Sequence, residues 1–408
     1  MSADPLNSFH SSETLVDRPP VVVLGAGITA LGVLRILGRN GLQSFSSETS
    51  DPLLRRSRWY RAVPNAASLE GGPLGEWLDT SGLDRAVLLP CSDHWVSEVS
   101  GLDAAHRQRF PASVPSSEVL ERFVDKGRFA ELLRETDTPH PFSQIVDVEA
   151  DLATVPNRVF ASAILKPRDS QSFLRHFDVK ALHVSSRAHA AEELKRLEGS
   201  GFPMIIQEYV PGPATQHYFV DGFVDRSGVV RAVFVRQRLR MYPTDFGNST
   251  YMVSVRPDRA AGAVSAITTL LTHAGYRGMF SAEFKLDTRD GVFKLLEVNA
   301  RAWWYVEFAA RCGVDVCRMT YEDALERPVA SIQSYRVGRP LVYPYKDYFA
   351  CVALRQRRKL SIGAWLRSWI GAMQPVFQFR DPLPAVLGSA KILSLFAERH
   401  RRRRVVGK

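Results

Sequence analysis

Residues 282–304 read AEFKLDTRDGVFKLLEVNARAWW, in which the turn-like TRDG separates two strand-like arms. Side chains alternate between the faces of a strand, and a loop with an odd number of residues places Glu283 directly opposite Glu297. Asn299 and Arg301 share the face of Glu297. The residues on the other face are Phe280, Ala282, Phe284, Leu286, Val298 and Ala300. The stretch therefore predicts a β-hairpin with an apolar underside and two facing carboxylates above.

Two facing carboxylates repel each other, so something positive is expected between them. Magnesium typically takes one or two carboxylates together with substrate phosphates. Asn299 adds a neutral oxygen, and Arg301 can hold a phosphate or a carboxylate in bidentate fashion. The alternative is a solvated hairpin face on which Lys285 and Arg301 are surface partners. The pattern is compatible with both, and residues upstream of the hairpin bear on the choice.

Polar residues lie at the ends of predicted elements upstream. Lys166 ends the strand AILKP, where it is well placed to meet a phosphate, and Lys126 lies in VDKGRF. Gln207 and Glu208 end the apolar strand of IIQEYVPG and can hydrogen-bond an adenine amino group or a ribose. These residues indicate a nucleotide site, although each one by itself also fits a surface position.

Three arginines occupy alternating positions in RQRLRMYP, and they are Arg236, Arg238 and Arg240. Alternation places them on one face of a strand. Such a face either neutralises ATP or another anionic ligand, or forms a solvated basic surface.

The order of these motifs resembles that of the ATP-grasp superfamily over about residues 115–310. The series begins with an Asp-Lys pair, which we expect at the end of a strand. Lys-Pro follows about 40 residues later, and EYVPG about 40 residues after that. The series ends with a glutamate and then E-x-N-x-R. The chain is most similar to the carbamoyl-phosphate-synthase-like and D-aspartate-ligase-like carboxylate–amine ligases. Such enzymes often have a Rossmann-like domain in front.

The resemblance implies roles for the residues at matching positions. The contacts implied for ATP are Lys126, Lys166, Ser170, Gln207, Glu208, Tyr209, Val210 and His217. The ligands implied for Mg²⁺ or Mn²⁺ are Glu283, Glu297 and Asn299. The residues implied to act on the transferred phosphate are Arg301 and Arg238. One departure lies after Lys166, where the family's flap is rich in glycine and this chain reads PRDSQSFLRHF.

The implied reaction is that of an ATP-dependent carboxylate–amine ligase. The γ-phosphate of ATP would pass to a small-molecule carboxylate, giving ADP and an acyl phosphate, and an amine would then displace the phosphate to form an amide. Positioning and charge neutralisation carry such a reaction, which accounts for motifs made of cations and cation ligands. We expect no Ser–His–Asp or Cys–His catalytic group.

The predicted fold class is α/β. Residues 1–19 are expected to form a disordered tail and residues 20–118 a Rossmann-like parallel-sheet domain, because VVVL and DRAVLLP read as buried strands in a strand-turn-helix rhythm. Residues 119–330 would form an ATP-grasp domain of two α+β subdomains. Residues 331–408 would form a basic, mainly helical C-terminal extension.

Most of the net charge of +10 lies near the C-terminus. Residues 351–408 hold 13 lysines and arginines against two acids, and the rest of the chain carries −1. A neutral main body argues against specific nucleic-acid binding. The apolar residues at helical spacing beside these cations are Ile362, Trp365, Leu366, Trp369 and Ile370. They indicate either peripheral membrane contact or a helix packed on the body.

The four cysteines are too scattered for a disulfide framework, and the polar N-terminus lacks the apolar segment of a signal peptide. We therefore expect a cytoplasmic protein, with contact at the inner membrane face left open.

Two other functions stay open. Gly25, Gly27 and Ala30 fit the dinucleotide-binding pattern G-x-G-x-x-A, and Glu48 follows at the expected distance, so an NAD(P)-binding oxidoreductase is the first. The same turn also serves tight strand–helix packing. The second is a membrane-associated ATP-binding protein without ligase activity.

Overall fold

The computed structural model describes residues 18–65, 72–167, 181–244, 247–357 and 359–388. The strands are β1 Val21–Leu24, β2 Ser44–Ser46, β3 Val87–Pro90, β4 Ser143–Val146, β5 Ala163–Pro167, β6 Leu182–Val184, β7 Met204–Glu208, β8 His217–Val224, β9 Val230–Tyr242, β10 Asn248–Val255, β11 Gly278–Leu286, β12 Phe293–Asn299 and β13 Pro340–Val342. The helices are α1 Gly27–Arg39, α2 Leu74–Thr80, α3 Asp93–Ser100, α4 Ala104–Arg109, α5 Ser117–Val124, α6 Lys126–Glu135, α7 Arg187–Leu197, α8 Ala261–His273, α9 Val306–Cys312, α10 Val316–Ala324, α11 Pro344–Gln356 and α12 Ile362–Trp369.

The front of the molecule is a three-stranded parallel sheet in the order β2-β1-β3. All four residues of β1 are fully buried, as expected for a strand covered on both faces. Leu31, Leu34 and Leu37 of α1 are fully buried as well, and residues 28–37 are all buried, so the helix is covered on every side. This core continues into α9 and the face of the large sheet, where Phe234 and Phe308 belong to the same cluster.

A four-stranded antiparallel sheet in the order β4-β7-β5-β6 forms a smaller unit. Its core is separate and contains Leu165 and Ile206, packed against α7 through Leu194. The strand predicted to end at a lysine is β5, and the strand predicted to end in Gln207 and Glu208 is β7. The two strands are paired, so their polar ends lie side by side.

The largest sheet has six antiparallel strands in the order β12-β11-β8-β9-β10-β13. Glu283 pairs directly with Glu297 in its terminal hairpin, which confirms the predicted register. A β-bulge follows at once, because Phe284 pairs with Leu295 and Leu296 is the additional residue. Bulges redirect side chains and occur often beside active sites. Phe280, Ala282, Phe284 and Ala300 are buried on the underside, as expected.

The chain beyond residue 331 is joined to the body at several points. Strand β13 pairs with β10, helix α11 packs on β9 and β10, and α12 contacts α11 and β13. The boundary proposed at residue 331 stays a prediction. In the described part of the chain, no helix combines the length and the apolar character needed to cross a bilayer.

One local expectation was wrong, and one alternative left open by the sequence is excluded. Lys126 does not end a strand but begins helix α6, with Asp125 as its N-cap, because the Asp125 side chain accepts a hydrogen bond from the backbone of Arg128. The arginine row of β9 is not solvated, since Arg236, Arg238 and Arg240 are 3%, 5% and 7% exposed. The four cysteines are free and buried, in agreement with the sequence.

Candidate functional site

The hairpin carboxylate Glu283 is held by two side chains of neighbouring strands. Its Oε1 lies 2.8 Å from His217 Nδ1 on β8 and 3.0 Å from Arg238 Nη2 on β9. Burial by itself would raise the pKa of Glu283, but the charge of Arg238 and the hydrogen bond from His217 lower it to about 2. Glu283 is therefore ionised at neutral pH and fixed in position.

His217 supports Glu283 as a neutral imidazole. Burial first, and then the nearby charge of Arg238, lower the pKa of His217 to about 4, despite the attraction of Glu283. The Nδ1–H group therefore donates to Glu283 Oε1 without adding a positive charge. The resemblance implies that Gln216 or His217 lies near the ribose, whereas the hydrogen-bond partner of His217 in the structure is the hairpin carboxylate.

The second carboxylate, Glu297, lies on the exposed side of the hairpin. Asn299 Nδ2 donates to Glu297 Oε1 over 2.7 Å, so the amide oxygen of Asn299 is not used in this contact. Within the described residues, Oε2 of Glu283 and Oε2 of Glu297 accept no hydrogen bond. This set of carboxylate and amide oxygens suits a hard divalent cation.

No group of three or more His, Cys, Asp or Glu residues arranged to hold a metal exists among the described residues. Magnesium does not need such a group, because it keeps several waters and binds one or two carboxylates together with phosphate oxygens. The two glutamates and Asn299 therefore fit a magnesium ion that is shared with a phosphate.

Two lysines face this carboxylate pair. Lys166 Nζ donates to Gln207 Oε1 over 2.9 Å, and Lys285 Nζ lies 4.4 Å from the ring centre of Tyr209. Burial is the main cause that lowers the pKa of Lys166 to about 8, and the charge of Lys126 adds to it. Attraction to Glu283 and Glu297 opposes that shift, so the lysine lies within electrostatic reach of both carboxylates.

Lys285 has a similar environment on the hairpin itself. Burial first, and then the charge of Arg238, lower its pKa to about 8, while Glu283 and Asp287 oppose the change. Two lysines are thus partly desolvated beside two carboxylates. An anion with several charges that enters this space would gain from both cations.

The residues implied for adenine lie at the end of β7. The Glu208 carboxylate pairs with Arg289 of the hairpin turn over 2.7 Å. The backbone N–H of Tyr209 donates to the Ser162 carbonyl, so it is already used, and Val210 is buried. Ser170 and the glycine-free segment lie outside the described residues.

The arginine row divides its contacts among three acids. Arg236 pairs with buried Asp221, with Nε 2.6 Å from Oδ2. Arg240 makes two hydrogen bonds of 2.9 and 2.7 Å to buried Asp347. Arg238 reaches Glu283 of the hairpin, and Arg236 also contacts Ser281 of β11 over 3.5 Å. The alternative in which all three neutralise one ligand does not describe the row, because Arg236 and Arg240 have counter-ions of their own.

Asp347 connects the C-terminal helix to this row. Its carboxylate accepts hydrogen bonds from Thr250 Oγ1, Trp365 Nε1 and Trp369 Nε1 at 2.7, 2.8 and 2.9 Å, in addition to Arg240. Both indoles therefore face the body. A buried carboxylate is stable when such a set of donors satisfies it.

Arg301 lies at the boundary with the front sheet. Its Nε and Nη2 donate to the two oxygens of Asp93 over 2.8 and 2.9 Å. Burial opposes its charge, but Asp93 and then Glu297 raise the pKa of Arg301. The arginine is thus beside the hairpin site and bridged to the first residue of α3.

The glycine turn of the front sheet is closed by its own chain. The Gly27 N–H, at a φ of 70° and at the start of α1, donates to Asp51 Oδ2 over 2.6 Å. Asp51 Oδ1 accepts from the backbone of Leu53 over 2.7 Å. A dinucleotide pyrophosphate would use this same helix end. The carboxylate of Asp51 takes that place, and Glu48 binds the backbone and hydroxyl of Ser50.

The sequence did not identify the acids that fix the site: Asp51, Asp93, Asp221 and Asp347. Only the loop of Asp93 had a signal, because it follows a predicted buried strand. Asp347 is paired with Arg240 across 107 residues, whereas Asp221 is paired with Arg236 on the neighbouring strand across 15 residues.

The fold follows from this architecture: it is the mixed α/β fold of ATP-grasp structures. N5-carboxyaminoimidazole ribonucleotide synthetase from Thermus thermophilus matches with a TM-score of 0.61 at 18% identity, over 79% of this chain and 82% of that one. A biotin carboxylase–βγ-ATP complex from Campylobacter jejuni matches at 0.59 and 14%, over 80% and 75%. An L-amino acid ligase from Bacillus licheniformis matches at 0.55 and 13%, over 79% and 78%.

One curated protein is similar in sequence as well. A D-aspartate ligase from Enterococcus faecium (strain Aus0004) is 27% identical over 248 residues, which are 59% of this chain and 58% of that protein. The match thus spans little more than half of the relative's length. No protein-family model matches the chain.

Proposed function

We propose that this protein is an ATP-dependent carboxylate–amine ligase that works through an acyl phosphate. The observation that carries the proposal is the direct opposition of Glu283 and Glu297, with Asn299 beside them and Lys166 within electrostatic reach. The similarity to a D-aspartate ligase supports the same class of reaction. ATP and Mg²⁺ or Mn²⁺ would be the cofactors, and a small-molecule carboxylate and amine the substrates.

The proposed site residues form three groups, according to the part of the ligand that each would bind. Glu283, Glu297 and Asn299 would hold the magnesium, which when bound would neutralise charge on the phosphate oxygens. The cations for the triphosphate would be Lys126 and Lys166. The residues proposed around the rest of the nucleotide are Ser170, Gln207, Glu208, Tyr209, Val210 and His217. In the structure His217 reaches Glu283, so its proposed contribution is to orient that carboxylate.

The proposed chemistry needs alignment and charge rather than a nucleophile from the protein. A carboxylate oxygen of the substrate attacks the γ-phosphorus as the bond to ADP breaks. The amine then attacks the acyl carbon and the phosphate leaves, while the amine loses its proton to solvent. Arg301 and Arg238 would stabilise the negative charge on the transferred phosphate. Burial raises the pKa of the Cys91 thiol to about 12, so this nearby cysteine is not a nucleophile at neutral pH.

The test is phosphate release from Mg-ATP in the presence of pooled carboxylates and amines, with Glu297→Ala as the control. We expect release that depends on substrate and is lost in the variant. Equal release by both proteins would refute the site. ATP binding without any release would instead favour the non-ligase alternative.

We also propose peripheral contact with an anionic membrane through α12. Ile362, Leu366 and Ile370 are 45%, 54% and 78% exposed, although they share the helical spacing of the two inward-facing indoles. The exposed cations that precede the helix are Arg355, Arg357 and Lys359. Each such cation adds about 1 kcal/mol near an anionic surface.

Flotation with phosphatidylserine vesicles tests this contact. The double variant Leu366→Asp, Ile370→Asp should stay with the unbound protein, because it places charge on the apolar face. The control Val229→Asp places charge at an exposed valine outside α12 and should float like the wild type. Unchanged flotation of the double variant, or none by the wild type, would contradict the contact.

A further inference from the structure

The strongest feature outside the nucleotide contacts is the pair formed by Asp93 and Arg301. Asp93 follows the end of β3 in the front sheet, and Arg301 follows β12 in the large sheet. The C-terminal ends of parallel strands are the usual place for ligands in α/β sheets. The pair therefore lies where the front domain meets the hairpin site.

The two side chains differ in exposure. The Asp93 side chain is 62% exposed and that of Arg301 is 20% exposed. A bidentate pair uses one lone-pair position on each oxygen of Asp93, and a carboxylate has about four. The outer side of Asp93 is thus open to a further donor from solvent or a ligand.

Arg301 also has hydrogen-bonding capacity left. Of its five N–H groups, two donate to Asp93 and one to the Ala302 carbonyl over 3.2 Å. Among the described residues the other two have no acceptor. A carboxylate can be bound there while the contact to Asp93 is kept.

Asp93 is held rigidly in this position. Ser92 caps α3 by accepting a hydrogen bond from the Trp95 backbone, and the Cys91 N–H donates to the Leu24 carbonyl over 2.8 Å. Gly25 allows the approach of this loop, since a Cβ there would lie 3.0 Å from Cys91 Cβ. The loop thus fixes a negative charge beside a positive one.

We propose that Asp93 and Arg301 together bind an amino acid, with Asp93 accepting hydrogen bonds from its ammonium group and Arg301 donating to its carboxylate. Adjacent charges of opposite sign are complementary to a zwitterion, which donates at one end and accepts at the other. This inference rests on the proposed function, in that the bound amino acid is the substrate whose carboxylate is activated. It makes Asp93 a residue that determines specificity for the amine-bearing carboxylate.

A role limited to holding Arg301 makes a different prediction. If Asp93 only orients the arginine, its loss weakens every carboxylate equally, with or without an amino group. If Asp93 binds the ammonium, its loss removes the preference for amino acids over the same acids without the amine. The ratio of the two affinities separates these roles.

The experiment is equilibrium dialysis of the full chain with Mg²⁺ and a non-hydrolysable ATP analogue. One arm contains pooled D- and L-α-amino acids, and the other contains the corresponding carboxylic acids without the amino group. Mass spectrometry identifies the retained compound. The variants are Asp93→Asn and, as matched control, Asp103→Asn, because Asp103 is 63% exposed, caps α4 in the same front region and pairs with His106.

We expect the wild type and Asp103→Asn to retain an amino acid at least about 10-fold better than its analogue without the amine, since hydrogen bonds to charged groups are strong. Asp93→Asn should lose about 10- to 100-fold in affinity for the amino acid and little for the analogue. The assignment is overturned if the wild type shows no preference, if neither pool is retained, or if Asp93→Asn keeps the preference.

Phosphate release from Mg-ATP on the same pools separates the two proposals. Release by the wild type without any preference for amino acids would overturn only the role of Asp93. Preferential retention of an amino acid without phosphate release would overturn only the ligase activity.

Discussion

The glycine turn at the start of α1 and the hairpin β11–β12 both have the sequence features of a nucleotide site, yet their surroundings differ. At the turn, the Gly27 N–H is bound to Asp51 over 2.6 Å. At the hairpin, Glu283 and Glu297 face each other and two lysines with pKa values near 8 lie close by. The turn is internally satisfied, whereas the hairpin has charges that a metal and a phosphate would complete.

This difference explains why a motif by itself does not define a site. Backbone N–H groups bind whatever anion is nearest, and here the chain supplies one from 24 residues away. An external dinucleotide would have to displace that carboxylate. The observation removes the main support for the oxidoreductase alternative and favours the hairpin as the proposed nucleotide site.

The largest effect is expected from charge removal at the hairpin. Glu283→Gln should lower Mg-ATP turnover at least about 100-fold, since changes even in residues that only support a metal ligand cost about 10- to 100-fold. It should also lower the free energy of unfolding by about 1–3 kcal/mol, because buried Arg238 loses its ionised partner. Phosphate release and urea unfolding measure the two quantities.

Glu297→Gln is the matched control for stability. Its carboxylate is exposed and, among the described residues, is hydrogen-bonded to Asn299 alone, so turnover should fall similarly while the free energy of unfolding changes little. Wild-type turnover in Glu283→Gln would remove the hairpin from the proposed mechanism.

A smaller effect, on stability alone, is expected at the glycine turn. Asp51→Ala removes the acceptor for the N–H groups of Gly27 and Leu53 and should lower the free energy of unfolding by about 1–2 kcal/mol. Mg-ATP affinity, measured by calorimetry, should stay unchanged. Asp51→Asn keeps an oxygen acceptor and should cost less. Weaker ATP binding, or new binding of NADH seen by fluorescence, would show that the turn is a nucleotide site.

The smallest effect concerns protons. The pKa of Lys166 is about 8, below its ordinary value of 10.5, so part of this lysine is neutral near pH 8. Bound triphosphate favours the charged form of Lys166. ATP binding should therefore take up a fraction of a proton at pH 8, and the affinity for ATP should decrease as the pH rises to 9. Calorimetry in buffers of different ionisation enthalpy measures this uptake.

Lys166→Met should reduce the proton uptake without abolishing it, because Lys285 has a similar pKa. Exposed Lys195→Met is the control and should leave it unchanged. The effect of Lys166 on folding has the opposite pH dependence. Between pH 8 and 10.5 the unfolded chain holds more protons at Lys166 than the folded chain does, so this residue makes the free energy of unfolding increase with pH. Proton release on ATP binding would contradict the assignment.

Local pattern predicted much of the fold. The buried run VVVL, the leucines of α1, Lys166 at a strand end and the pairing of Glu283 with Glu297 follow from periodicity and loop length, which act between near neighbours in the chain. Lys126 was misplaced because Asp-Lys was assigned to a strand end, whereas Asp125 caps a helix. The domain boundaries and the residue roles in ATP binding stay predictions.

The partners of the charged residues were not predictable in this way. Asp93 and Arg301 are separated by 208 residues, and Arg240 and Asp347 by 107. Nothing in a strand with three alternating arginines tells which acid each one meets, or that all three are buried. The sequence left open whether Trp365 and Trp369 face a membrane or the body, and the Asp347 carboxylate that they share shows that both face the body.

The sequence by itself determined the strands, the helices and the two facing carboxylates, because alternation and helical spacing depend only on neighbouring residues. The tertiary structure decided which charges are neutralised within the protein and which remain for a ligand. That distinction depends on distances between residues far apart in the chain, and electrostatic energy varies with those distances and with burial.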